Sequence, residues 1–222
     1  MTERTEILIG KENVEKLKNS HVAVFGLGGV GGYVVEMLAR AGVGELTIVD
    51  FDTVAKSNLN RQIIALNSTL GKYKANVVEQ RLKDINPDII IHKLCKKYTA
   101  ENADEFFKNK YDFVVDAIDM VTSKIHLITY CHKNDINIIS AMGAGNRSAI
   151  PQFDVADIYN TYNDGLAKIL RKKLRENEIK HHTVVFTKNI AMPNGDTIGS
   201  ISYYPAMCGC VLAGYVVNQL IK

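Results

Sequence analysis

The chain of 222 residues has no run that approaches the roughly 18 uninterrupted apolar residues of a membrane span. The nearest, Met207 to Ile221, is short and broken by Asn218 and Gln219, which predicts a buried helix and no contact with a membrane. The opening residues, MTERTEILIGKENVEK, carry no signal-peptide pattern, so a cytoplasmic protein is expected. Cysteine is scarce: Cys95, Cys131, Cys208 and Cys210 make neither a C-x-x-C pair nor a secreted disulfide framework. Cys208-Gly209-Cys210 is expected to be a small-residue helix start packed in the core. Repeats and low-complexity tracts are also missing. Charge of one sign is not in excess, with a net of +3, but it is unevenly placed. Six Lys or Arg stand against two Glu between Lys168 and His182, and the rest of the chain is close to balance.

What is present is apolar sequence, 46% of the chain, enough for one sizeable core. One domain is expected over 1–222, with a nucleotide-binding part over about 20–142 and a substrate-facing extension over about 143–222. Apolar runs of strand length alternate with helical periodicity. HVAVFG (21–26) and ELTIVD (45–50) read as buried strands, as do DIIIHKL (88–94), YDFVVDA (111–117) and INIISA (136–141). Helical patterns fall between them: after Val30, over 72–85 up to Asn86-Pro87, near 101–109 and over 121–134. The alternation predicts an α/β, Rossmann-like fold, a mostly parallel sheet with helices on both faces. After Gly143-Ala144-Gly145 the pattern changes. FDVADIY (153–159), HTVVFT (182–187) and SISYYP (200–205) read as mixed or antiparallel strands, with a basic helix over 164–178 and a last helix from about 206 to 221.

The glycine run Gly26-Leu27-Gly28-Gly29-Val30-Gly31 follows the first strand and opens the first helix. In that setting the glycines allow a tight turn, and the helix N-terminus offers unpaired N–H groups to a phosphate. Asp50 ends the second strand 24 residues after Gly26, where an acid can hold a ribose hydroxyl. Dehydrogenases share this fingerprint. The polar stretch DFDTVAKSNLNRQ (50–62), with Asp52, Asn58, Arg61 and Gln62, and then Lys72 and Lys74, favours a triphosphate over a dinucleotide. Arg supplies a forked donor and Lys a point charge to phosphate oxygens. Asp119, just beyond the fourth strand in DAIDM, is placed to hold magnesium, and no other metal is expected.

GLGGVG, VDFDTVAKSNLNRQ, GKYKA and DAID resemble the ubiquitin-activating-like adenylyltransferases, which include the activators of molybdopterin and thiamine sulfur-carrier proteins. RTEILIG, LARAGVG, INP, AIDMVTSK, MGAGN and VADIYNT look like the tRNA threonylcarbamoyladenosine dehydratase branch of that family, and the likeness covers nearly the whole chain. The resemblance implies ATP-dependent activation of the threonyl carboxylate of a modified tRNA adenosine, followed by ring closure with release of AMP. It implies catalytic roles for Arg61, Lys74 and Asp119, phosphate contacts from Asn58, Arg61 and Lys74, and a ribose contact from Asp50. It also implies a homodimer in which Arg4 reaches the neighbour's ATP. The basic segment suggests tRNA contact through Lys168, Arg171, Lys172 and Arg175. The paired C-x-x-C motifs of the zinc-bearing sulfur-carrier activators are missing.

The chain departs from the dehydratase pattern in three places. Arg147-Ser148-Ala149-Ile150-Pro151 stands where family members follow GAGN with Asp-Pro. Asp164-Gly165-Leu166-Ala167 replaces a Pro-Leu-Ala turn, and Thr187-Lys188-Asn189 replaces a Ser-Lys/Thr-Glu element. All three lie in the half expected to touch the acyl substrate. The alternative reading is therefore an adenylyltransferase for the C-terminus of a small carrier protein, with a sulfur-transfer or carrier partner.

Overall fold

The computed structural model describes residues 1–193 and 197–222. Among the described residues seven segments form strands: β1 (His21–Phe25), β2 (Glu45–Val49), β3 (Ile90–Leu94), β4 (Phe113–Asp116), β5 (Ile138–Ala141), β6 (Phe153–Asp157) and β7 (Thr183–Thr187). Eight α-helices accompany them among the described residues: α1 (Glu3–Ile9), α2 (Lys11–Lys18), α3 (Gly31–Ala41), α4 (Lys74–Ile85), α5 (Ala103–Phe106), α6 (Val121–Lys133), α7 (Gly165–Glu176) and α8 (Tyr203–Leu220).

The strands make one sheet in the order β3-β2-β1-β4-β5-β7-β6. Its pairs are parallel except β6 with β7, so the C-terminal strands continue the nucleotide-type sheet. Alternate residues of β1 serve opposite faces. Val22 and Val24 pack with Val34 and Leu38 of α3 and Leu212 and Val216 of α8. Ala23 and Phe25 pack with Leu127 and Ile128 of α6 and Leu170 and Leu174 of α7. Burial of each large aliphatic side chain contributes about 1.5–3 kcal/mol, which makes the central strands the anchor of both layers. From β1 the chain winds to β2 and β3 on one side, then returns to β4 and β5 on the other. That reversal opens a crevice at the carboxyl ends of β1 and β4.

Three sequence expectations need correction. β3 is not buried like its neighbours: it is the edge strand, and Ile90 is 55% exposed. The segment near 101–109 is helical as expected but shorter and shifted: a 3-10 turn at Ala100–Asn102 runs into the single turn α5 and ends at Phe106. SISYYP is no strand, because Tyr203, Tyr204 and Pro205 are the first turn of α8. Its Ile-Tyr alternation imitates strand period, yet Pro205 fits a first helical turn, where a missing N–H leaves no bond unmade. The helix then buries Tyr204, Cys208, Leu212 and Val216. Cys208 is core material as expected, its thiol pushed up to about 12 by burial.

His182, at the head of β7, is 1% exposed and joins Ser140 Oγ through Nε2 (2.9 Å) and His132 Nε2 through Nδ1 (3.2 Å). Burial holds its pKa well below the ordinary histidine value. The unfolded chain therefore takes up a proton near pH 6.5 that the folded chain refuses, so stability present above that pH is lost as the pH falls below it. The expected slope is about 1.4 kcal/mol per pH unit for this one group. Denaturant titrations at pH 7 and pH 5.5 should show the drop in wild type and a smaller one in His182→Gln, and equal drops would refute the assignment.

Candidate functional site

A cavity of ≈ 620 Å³ opens at the β1/β4 crevice. Its floor is the turn between β1 and α3. Gly26 adopts φ +89, and a Cβ there would lie 2.6 Å from the Ala117 carbonyl oxygen, so only glycine lets the β1 and β4 ends close together. A Cβ on Gly31 would meet the Gly26 carbonyl oxygen at 1.8 Å, which fixes the first turn of α3 against the loop. Gly26, Gly28 and Gly29 line the cavity, whereas Gly31 acts one layer behind.

Asp50, buried at the end of β2, accepts the Leu27 N–H at 2.7 Å and the Asp52 N–H at 2.8 Å. Its carboxylate thus shapes the glycine loop from below while its side chain lines the cavity. Burial raises its pKa, against the opposing charge of Lys74 and the two backbone donors. Lys74, at the first position of α4, is also buried and pairs with Asp52 at 2.8 Å. The Asp52 side chain is 49% exposed, so it can yield the ammonium to a stronger anion in the cavity. Arg61 is tied to its own loop through Nη1, which donates to the Ser57 carbonyl and Asn60 Oδ1, both at 2.9 Å. Its other N–H groups make no hydrogen bond among the described residues, and the residue lines the cavity. Asp119 lines it too, exposed and without an ion pair among the described residues. Gln62 presents a buried amide oxygen with no partner at the same wall.

Three sequence candidates lie away from the cavity wall. Asn58 is outside the cavity wall: its Oδ1 accepts the Ala55 N–H at 2.9 Å and braces the 55–62 loop. Arg4 sits exposed on α1 and does not line the cavity of its own chain. Lys72 is likewise exposed and away from the wall. In the basic segment, Lys168 and Lys172 are exposed on α7, whose Leu166 and Ile169 line the cavity. Arg171 bonds the Thr161 carbonyl at 3.0 Å, and Arg175 stacks over the Tyr159 ring at 4.9 Å. Those two guanidinium groups hold α7 to the loop after β6.

Sequence reasoning missed three features. Lys124 and Asp116 form an ion pair at 2.7 Å with neither side chain exposed. Asp116 also accepts the Ile118 N–H at 3.1 Å, so the pair fixes the loop that carries Asp119. The signal was present, an acid ending a strand and a base in the first turn of the next helix, but lysine is so rarely fully buried that it carried no weight. Phe51 lines the cavity with Lys97 over its ring at 5.7 Å, a flat apolar face beside Asp50. The third feature joins the three departures from the family pattern. Buried Arg147 donates to the carbonyls of Gly143 (2.9 Å), Gly145 (3.0 Å), Asn163 (3.0 Å) and Asn189 (3.0 Å). Asp164 stands 3.9 Å from the same guanidinium, accepts the Gly143 N–H at 2.9 Å and caps α7 through the Ala167 N–H. The departures therefore satisfy one another: of their own residues Leu166 lines the cavity, and the rest brace Gly143, Ala144 and Gly145, which line it too.

The whole arrangement offers cations, unpaired backbone donors and a free carboxylate around one crevice, which suits a polyphosphate and a metal counter-ion. Comparison with known proteins agrees with this chemistry. The model of the ThiF family matches residues 3–222. The tRNA threonylcarbamoyladenosine dehydratase of Bacillus subtilis is 40% identical over 99% of this chain and 94% of its own length. The crystal structure of the E. coli tRNA N6-threonylcarbamoyladenosine dehydratase in complex with ATP superposes with a TM-score of 0.92 at 32% identity, covering 98% of this chain and 92% of that one. A molybdopterin-synthase adenylyltransferase of Haemophilus influenzae is 34% identical over 72% of this chain and 65% of its own length.

Proposed function

The chain belongs to the ThiF family, and from that premise we propose that it is an ATP-dependent tRNA threonylcarbamoyladenosine dehydratase. The observation that carries the reading is the likeness to a dehydratase over 99% of this chain and 94% of that protein, joined to a cavity whose wall suits a nucleoside triphosphate. ATP lies with its phosphates on the glycine turn, its ribose at Asp50 and its base against Phe51. Arg61 and Lys74 neutralise the phosphates, Lys74 exchanging Asp52 for the anion. Asp119 fits a magnesium ion, which needs only one or two carboxylates beside phosphate oxygens and when bound offsets the triphosphate charge. Asn58 supports the phosphate contacts by holding the 55–62 loop that presents Arg61.

The threonyl carboxylate attacks the α-phosphorus and pyrophosphate leaves. A nitrogen or oxygen of the same modification then attacks the activated carbonyl, loses its proton and expels AMP, which carries away the carboxylate oxygen. The protein's task is alignment and charge neutralisation, with no covalent group of its own. Gly143 to Gly145, backed by Arg147, form the wall nearest the acyl group, and Lys168 and Lys172 meet the tRNA backbone. A tRNA substrate places the work in the cytoplasm, and no helix among the described residues is long and apolar enough to cross a membrane. Ile7 and Leu8, 80% and 83% exposed beside Arg4 on α1, are covered by a second copy whose cavity Arg4 completes. Sedimentation as a monomer at micromolar concentration would remove that last element.

Incubation of threonylcarbamoyl-modified tRNA with the protein, ATP and magnesium should give a nucleoside lighter by one water, only when ATP is present. An unchanged nucleoside, with pyrophosphate exchange stimulated instead by a Gly-Gly-ended carrier protein, would overturn the dehydratase reading in favour of carrier activation.

A further inference from the structure

At the opposite end of the sheet from the cavity, three potential metal ligands come from three adjacent strands. β1 and β2 pair His21 with Glu45, and β2 and β3 pair Thr47 with His92, so all four residues project from one face. Glu45 Oε1 lies 3.3 Å from His21 Nδ1 and 2.6 Å from His92 Nε2, and the three ligand atoms fall within 4.8 Å of one another. Four ligands around zinc at about 2.0–2.1 Å stand about 3.3 Å apart, so His21 and Glu45 already have the spacing, and an ion requires that His92 draw back from Glu45 by about 0.7 Å. His92 can move, since its side chain is 40% exposed and lies on the edge strand, and Glu45 is 33% exposed.

The ring of His21 is already oriented as a ligand. Its Nε2 meets Thr47 Oγ1 at 2.8 Å, which directs Nδ1 toward Glu45, and Tyr111 packs edge-on against it. Metal-bound histidines are held in this way, by a hydrogen bond on the other ring nitrogen. The His21 N–H is fixed to Asp112 Oδ2 at 2.8 Å, so the backbone under the ligand is held by the residue that precedes β4 as well. Two imidazoles and one carboxylate with a side open to water suit zinc and neighbouring divalent ions better than magnesium or calcium, which prefer all-oxygen shells.

We infer that His21, Glu45 and His92 form a binding site for one zinc-class divalent ion, a staple across β1, β2 and β3. His21 is five residues from Gly26 along β1, roughly 16 Å at strand rise, so the site is separate from the nucleotide cavity and does not depend on the function proposed above. The test is calorimetric titration of zinc chloride into chelator-stripped, tag-free protein, with Co2+ titrated in parallel for its tetrahedral visible absorption. One ion per chain is expected, with a rise in Tm. Binding should weaken more than tenfold in both His92→Gln and Glu45→Gln, while ATP-dependent AMP formation stays at the wild-type rate. His92 and Glu45 are part-exposed, so both variants should fold, and circular dichroism checks this. Absence of one-to-one binding in wild type overturns the inference. So does unchanged affinity in both variants, which would put the ion elsewhere, such as the His132 and His181 pair.

Discussion

Arg61→Ala is expected to lower AMP formation about 10²–10³-fold while the protein stays folded. The loss corresponds to about 2.7–4 kcal/mol, the range for removing one preorganised donor from a developing anion. Arg61 supports this separation of activity from stability, because its side-chain hydrogen bonds among the described residues are local, to Ser57 and Asn60 within the same loop. Arg61→Lys should recover little, since an ammonium restores charge but not the forked donor geometry. Pyrophosphate release at saturating ATP, read beside near-ultraviolet circular dichroism, decides the matter. Turnover within threefold of wild type in the alanine variant would remove Arg61 from the site.

Lys124→Met should be the most destabilising conservative change in the molecule. It leaves the Asp116 carboxylate uncompensated in a setting where neither partner is exposed, at a cost of about 3–5 kcal/mol. For a chain of this size Tm should fall by roughly 10 °C. The double variant Asp116→Asn with Lys124→Met should regain much of the loss, because the expense lies in the lone buried charge and a neutral amide can keep the Ile118 N–H bond. Urea denaturation of wild type, single and double variants measures the coupling. A single-variant loss below about 1 kcal/mol would mean that water reaches Asp116. In the stable double variant any remaining loss of turnover reports how far the pair positions the Asp119 loop.

Sequence alone determined the parts of this protein that rest on local pattern. Strand period in HVAVF and ELTIV, helical period after Val30, and glycines where a strand meets a helix are short-range constraints. They state themselves in consecutive residues, so the sheet, the glycine turn and the placement of Asp50, Arg61, Lys74 and Asp119 around one cavity were all legible. SISYYP failed by the same logic, since a helix start rich in Ile and Tyr has a strand's alternation and only the packing of α8 distinguishes them.

Tertiary structure decided everything that depends on residues distant in the chain. Asn58 and Arg61 lie three residues apart in the same polar motif, yet one braces the loop and the other faces the cavity. Arg171 and Lys172 are neighbours on α7, but helical geometry turns one inward to Thr161 and leaves the other in solvent. Arg147, Asp164 and Asn189 stood out in sequence as three separate anomalies. The fold makes them one, because a buried guanidinium must find acceptors, and only the folded chain brings the carbonyls of residues 143, 145, 163 and 189 within its reach.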